Sequence, residues 1–233
     1  MSEASVRYEL RESTGIVWID DGKVNALTRE GIDACLDGLD RAEKEAQALL
    51  IVGRPGCFSA GFDLSVLRQG GDALSEMFLS GAELALRLYA FPCPVVIACT
   101  GHAIAMGAIL CLSADARIGA DGDYKIGLNE VAIGLALPEL GTELARERLS
   151  KRHLDRAVLQ AQIYTPREAV DAGFLDRVTP QTALIDESID EARRLASLDS
   201  AAHRNTKLRL RGDAIARIRD SLPKLGDMLT PSR

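Results

Sequence analysis

Apolar positions along the chain alternate between two rhythms: short continuous runs that suit buried strands, and longer segments with apolar residues at helical spacing. Val6–Leu10 and Gly15–Ile19 read as short strands joined by a Ser13-Thr14-Gly15 turn. Asp20-Asp21-Gly22 ends the second strand, and Lys23-Val24-Asn25-Ala26-Leu27 follows as a loop. Thr28 offers an N-cap hydroxyl to a helix running to about Ala46, with Ile32, Leu36 and Leu39 as its apolar stripe. Ala48–Val52 is a buried strand by composition, closed by Gly53-Arg54-Pro55-Gly56. Cys57 to Leu64 then forms a strand-to-helix junction rich in small residues. Beyond a Gly70-Gly71 loop, Ser75–Ala90 is an amphipathic helix, with Phe78, Leu79, Ala82, Leu86 and Tyr89 on one face.

The stretch from Pro94 to Asp115 organises the rest. Val95–Cys99 reads as a buried strand, Thr100-Gly101 breaks it, and Ala103 to Ala108 leads into an apolar helix. Such a turn leaves backbone N–H groups free at a helix N-terminus, which suits an anion or an oxygen becoming one. Ala116–Ala120 and Tyr124–Ile126 read as strands around an Asp121-Gly122 turn. Thr165-Pro166-Arg167-Glu168 is a capping box with proline at the first helical position, and Gly173 ends that helix. Asp176–Val178 is a short strand, and Gln181–Leu198 and Ser200–Leu222 close the chain as helices. Strands alternate with helices in the first two-thirds and helices dominate the last third. That pattern predicts an α/β core, residues 1–180, with a helical C-terminal region, residues 181–233.

Composition narrows the function classes. The 233 residues are 47% hydrophobic and 27% charged, an ordinary globular balance. A net charge of −6 argues against nucleic acid as the main partner, although Arg204 to Arg211 keeps a basic patch able to meet a small phosphate-bearing molecule. Five cysteines without a CxxC pair, several in apolar runs, predict reduced core thiols of a cytoplasmic protein. The N-terminus lacks the basic-then-apolar pattern of a signal peptide. Pro94 to Leu112 has the length of a membrane span, but its proline, glycines, Thr100 and His102 argue against insertion. Three histidines without ligand spacing give a metal site no support.

Two strand-to-helix junctions, around Phe62 and around Met106, offer backbone donors; converging, they would form an oxyanion hole. The candidate base is Glu130, set among Ile126, Leu128, Val131 and Ile133 with no local basic partner. Desolvation there would raise its pKa toward the range useful for proton transfer. From local sequence alone, Glu130 suits a surface turn cap better than a base.

Four motifs, in order, carry a resemblance over nearly the whole chain: Lys23 to Leu27, Cys57 to Leu64, Gly101 to Leu110 and Ile126 to Gly134. In these the chain resembles the crotonase superfamily of enoyl-CoA hydratases and isomerases. The resemblance implies a crotonase fold, a spiral of repeated ββα units, and a homotrimer or dimer of trimers built through the C-terminal helices. It implies an acyl-CoA or enoyl-CoA substrate, with coenzyme A as part of the thioester and no further cofactor. Phe62 and Met106 would supply the N–H groups of the oxyanion hole, and Glu130 would move protons beside the acyl α- and β-carbons. Lys23, Val24, Ala26, Ser59, Ala60, Gly61, Asp63, Leu64, Gly107 and Ile109 fall at positions expected to contact coenzyme A or substrate.

The departures from the family pattern choose among reactions. Hydratases of this superfamily carry a second glutamate where this chain has Ile109, which cannot move a proton. One carboxylate without the other resembles the Δ3,Δ2-enoyl-CoA isomerases of fatty acid metabolism, with enoyl-CoA hydration as the alternative. Glu139 and Glu143 are sequence candidates for a second carboxylate, or else a solvated helix start. Met106 replaces a usual glycine, which backbone donation tolerates. The same stretch is similar to the nucleophile turn of Clp-type peptidases, but Ala105 stands where those enzymes have serine, so no acyl-enzyme can form. Ser59 lies in no GxSxG elbow, and His102 lacks a nucleophilic partner. The single carboxylate and Met106 also suit a catalytically weak acyl-CoA-binding or scaffold protein.

Overall fold

The computed structural model describes residues 5–225. The first positions of the N-terminal segment and the end of the helical region, residues 226–233, lie outside the described residues.

The chain climbs through strand–strand–helix units. In chain order these are β1 (Val6–Arg11), β2 (Thr14–Ile19), β3 (Ala26–Leu27) and α1 (Arg29–Glu45); then β4 (Ala48–Val52), β5 (Gly56–Ser59), β6 (Gly61–Phe62), α2 (Leu64–Gln69) and α3 (Gly71–Tyr89). The next units are β7 (Val95–Cys99), β8 (Gly101–Ile104) and α4 (Met106–Ser113), then β9 (Ala116–Ala120), β10 (Ile126–Gly127) and α5 (Glu139–Arg148). The chain continues through α6 (Lys151–Val158), α7 (Pro166–Ala172), β11 (Arg177–Thr179), α8 (Leu184–Ala196) and α9 (Ser200–Ser221). First strands of successive units line up in one sheet, β1-β2-β4-β7-β9-β11, antiparallel only between β1 and β2. Second strands form a smaller parallel sheet, β10-β8-β5, and a β3-β6 pair.

Both faces of the large sheet are covered, which is why β4 and β7 read as unbroken apolar runs. Leu49, Ile51, Val95 and Ile97 face the core shared with α1, α3 and α4. Their alternates Leu50, Val52, Val96 and Ala98 pack with Leu184, Ile189 and Ala192 of α8. Burying a leucine or isoleucine contributes about 1.5–3 kcal/mol, so α8 is a layer of the core. Within the helical region expected over residues 181–233, α8 packs on the core. α9 is held differently: Lys207 Nζ donates to Asp115 Oδ2 (2.5 Å) and to the Phe91 and Cys93 carbonyls, while Arg211 donates to Asp115 Oδ1 (2.7 Å) and Tyr89 O. Burial alone would raise the Asp115 carboxyl, but the two cations hold it below its ordinary value.

Local differences from the sequence expectations have physical reasons. Residues 26–27, expected in a loop, become β3 because Gly61–Phe62 offers them a parallel partner. The Gly70-Gly71 loop is a single capping residue, and α3 starts at once. The Pro94–Asp115 stretch is strand–strand–helix: Gly101–Ile104 pairs with both β5 and β10 before the chain turns. Among the described residues, no helix is long and apolar enough to cross a membrane.

Candidate active site

The turn between β8 and α4 is one residue long. Ala105 adopts φ 52°, ψ −120°, a region costly for a side-chain-bearing residue. It reverses the chain so that Met106 is the first helical residue. The first intrahelical bond is Ile109 N–H to Ala105 O at 3.0 Å, so the N–H groups of Met106, Gly107 and Ala108 have no intrahelical acceptor.

Gly61 brings the second turn to the same place. It sits at φ +90°, and a Cβ there would lie 3.1 Å from Ile104 O and Ala105 Cβ and 3.4 Å from Met106 N. Only glycine combines that backbone with that approach. Of the N–H groups in this turn, Ala60 donates to Val24 O (3.0 Å), Gly61 to Ser59 Oγ (3.1 Å) and Asp63 to Leu27 O (3.2 Å). Because successive strand N–H groups point to opposite sides, Phe62 N–H faces away from β3. The two junctions thus meet.

Asn25 locks the first loop onto this turn. It is buried at φ +50°, and its Nδ2 donates to Ile19 O (2.8 Å), Cys57 O (3.2 Å) and Phe58 O (3.1 Å). Its Oδ1 accepts from Asp21 N–H at 2.9 Å. Ser59 belongs to the same tie: it is fully buried, donates to Asn25 O (2.8 Å) and accepts from Gly61 N–H. Its hydroxyl thus holds the turn together. Gly107 is buried, and a Cβ there would meet Ser59 O at 2.4 Å, so only glycine fits; Ile109 is a buried core residue three positions beyond Met106.

β10 carries Glu130 to the same corner. Ile126 and Gly127 pair with Ala103 and Ile104, and Ala105 N–H donates to Gly127 O at 3.0 Å. Glu130 opens a short 3-10 turn, Val131–Ile133, whose end is tied to its carbonyl by Ile133 N–H (3.1 Å) and Leu135 N–H (2.9 Å). Its side chain makes no capping bond, is only 9% exposed as a residue, and leaves Oε2 buried with no partner among the described residues. The surface-cap reading is thereby excluded. Desolvation pushes the carboxyl up to about 7. The neighbouring Asn129 Oδ1 is likewise buried without a partner.

Beside these groups lies a cleft of about 640 Å³, lined by predicted residues Lys23, Val24, Ala26, Ala60, Phe62, Asp63 and Leu64, together with Asn129. Ser59, Gly61, Met106, Gly107, Ile109 and Glu130, also expected at the site, are not among its lining residues. Asp63 also N-caps α2, accepting from Ser65 N–H at 2.6 Å. The two candidate second carboxylates differ, and only Glu143 is tied down. Glu143 is buried between Arg146 and Arg217, the latter at 2.6 Å; burial would raise its carboxyl, but the two guanidiniums hold it below the usual range. Glu139 is exposed in the first turn of α5, near Arg146.

Three features escaped the sequence: the anchoring role of Asn25, the strained Ala105 turn, and Asn129 in the cleft wall. A lone asparagine before a strand is the one local signal among them, since asparagine tolerates positive φ.

The sequence profile of the enoyl-CoA hydratase/isomerase family matches residues 10–219. The chain belongs to that family. Its architecture is the crotonase fold of the same superfamily. A solved enoyl-CoA hydratase of Mycobacterium marinum is 37% identical with a TM-score of 0.93, over 97% of this chain and 100% of that one. A solved protein of Mycobacterium tuberculosis, called an enoyl-CoA isomerase in one structure and a probable enoyl-CoA hydratase in another, is 38% identical over 96% of this chain, with TM-scores of 0.91 and 0.93 over 98% and 95% of those chains. The human mitochondrial enoyl-CoA delta isomerase 1 is 28% identical over 200 residues, 84% of this chain. The chain spans 66% of that relative's length and 56% of the rat protein's. Similar members carry both names, hydratase and isomerase, so choosing between the two reactions falls to the site.

Proposed function

We propose that this protein is a single-glutamate Δ3,Δ2-enoyl-CoA isomerase. The observation that carries the proposal is Glu130: a desolvated carboxyl near pKa 7 with an unpartnered oxygen, with Ile109 where a second carboxylate would stand. A base poised near neutrality suits removal of a C2 proton. The thioester oxygen would lie against Phe62 N–H and Met106 N–H, whose preorganised dipoles stabilise the developing dienolate by several kcal/mol. Glu130 would then return the proton at C4, and apolar surroundings would keep water from competing. The cleft between Lys23–Thr28 and Ala60–Leu64 suits the pantetheine arm of coenzyme A, and no other cofactor enters the scheme. A homotrimer or dimer of trimers in the cytoplasm completes the proposal, its compartment supported by five free cysteines.

Hydration of trans-2-enoyl-CoA is the second reading, favoured by the similarity to the M. marinum hydratase. It asks for a residue to activate water, and Glu143, fixed by two arginines, does not offer one. Purified protein given cis-3-hexenoyl-CoA and, separately, crotonyl-CoA separates the two: isomerisation of the first is expected. Fast hydration of the second with no isomerisation of the first would overturn the proposal. Tight acyl-CoA binding with no turnover would leave a binding protein.

A further inference from the structure

The residues whose backbones form the hole also place their side chains together, at α3. A Cβ on Gly81 would lie 2.5 Å from Cε1 and Cζ of Phe62 and 3.6 Å from Cε of Met106. The absent side chain at Gly81 is the space that the Phe62 ring occupies. One helical turn earlier, on the same face of α3, Phe78 stacks on Phe62 with ring centroids 4.5 Å apart and planes inclined by 27°. Phe62 also lines the cleft, so its ring runs from the ligand side to the wall of α3.

In the proposed pose, an acyl thioester enters through the cleft lined by Phe62, sets its carbonyl at the hole, and turns its tail toward this wall. There it meets a filled corner: Phe62 on Gly81, braced by buried Phe78 and flanked by buried Met106. A longer tail would have to displace a ring that is stacked on one side and seated on backbone on the other. Resting on the acyl-thioester function proposed above, we infer that the Phe62–Phe78 stack sets the acyl-chain limit and confines the protein to short acyl chains. Phe78 is the specificity-determining residue of the pair, because it touches no reacting atom yet fixes where the Phe62 ring stands.

The test compares kcat/KM for cis-3-hexenoyl-CoA and cis-3-dodecenoyl-CoA in wild type, Phe78→Ala and the milder Phe78→Leu. Wild type favours the short substrate, and the variants raise the long-to-short ratio by about tenfold or more, the scale on which apolar pockets discriminate methylenes. A merely structural effect would lower both rates and leave the ratio unmoved. Phe78→Leu keeps the experiment decisive should Phe78→Ala fail to fold. If wild type turns over neither substrate, the proposed reaction falls, but the chain limit is still read calorimetrically from the dissociation constants of hexanoyl-CoA and dodecanoyl-CoA, with the same ratio expected. Wild-type preference for the long chain, or an unchanged ratio in a folded variant, would overturn the inference.

Discussion

Replacing Glu130 by glutamine should abolish turnover and make the protein more stable, in a manner that depends on pH. The carboxyl rises from 4.5 to about 7 on folding because burial disfavours its charged form. A group raised in the folded state contributes stability below its unfolded pKa and loses it as pH climbs through the folded value. At 1.36 kcal/mol per pH unit, ionised Glu130 costs the folded protein about 3 kcal/mol at pH 9. At pH 5, where the folded carboxyl stays protonated, the cost is below about 1 kcal/mol. Glu130→Gln keeps the shape and removes the charge, so its gain over wild type should grow from pH 5 to pH 9. At about 2–4 °C per kcal/mol for a chain of this size, the melting temperature at pH 9 should rise by about 6 °C or more. Paired thermal melts of the two proteins across that range, at equal concentration, measure it. A variant less stable than wild type at pH 9, or an equal difference at both pH values, would refute the account of Glu130 as a desolvated, unpaired carboxyl.

The remaining predictions concern neighbouring parts of the molecule. Because Glu130 must be ionised to act as a base, kcat/KM for a 3-enoyl-CoA should rise with pH through an apparent pKa near 7; a profile flat from pH 5 to 9 would count against it. Glu143→Gln should loosen α5 against α9 but keep kcat within a few-fold; a collapse of kcat in the folded variant would reinstate a second acid. Asp115→Ala leaves Lys207 and Arg211 buried without their anion and should cost about 3–5 kcal/mol in urea unfolding, with faster hydrogen exchange along α9. Asn25→Ala removes the amide that ties Ile19, Cys57 and Phe58 and should destabilise by about 2–3 kcal/mol.

The strands of the large sheet were legible because each is buried on both faces, so its residues are apolar without interruption. The capping box at Thr165 was legible because it is a local device, and both of its reciprocal bonds form. The junctions at Phe62 and Met106 were readable as runs of small residues. Their convergence was not, since it depends on a parallel pairing of β3 with β6 and on Gly61 lying against Ala105. Burial of Glu130 is likewise a tertiary property: its sequence neighbours Val131 and Ile133 are exposed, so apolar flanks alone did not show which way the carboxyl points. The role of Glu143 was hidden for the same reason, because one of its two arginines arrives from α9, far along the chain. α8 was legible as a helix, but which face of the sheet it covers was not, because its partners are the alternate residues of β4 and β7.

The central claim is that one carboxylate moves a proton between two carbons in a water-poor pocket. The most direct measurement is the fate of label from a cis-3-hexenoyl-CoA carrying deuterium at C2, followed in ordinary water by mass spectrometry and NMR. Transfer of a measurable fraction of that deuterium to C4 of trans-2-hexenoyl-CoA, lost together with all turnover in Glu130→Gln, is the predicted result. Complete loss of label to solvent, or a 3-hydroxyacyl-CoA as the first product, would contradict it.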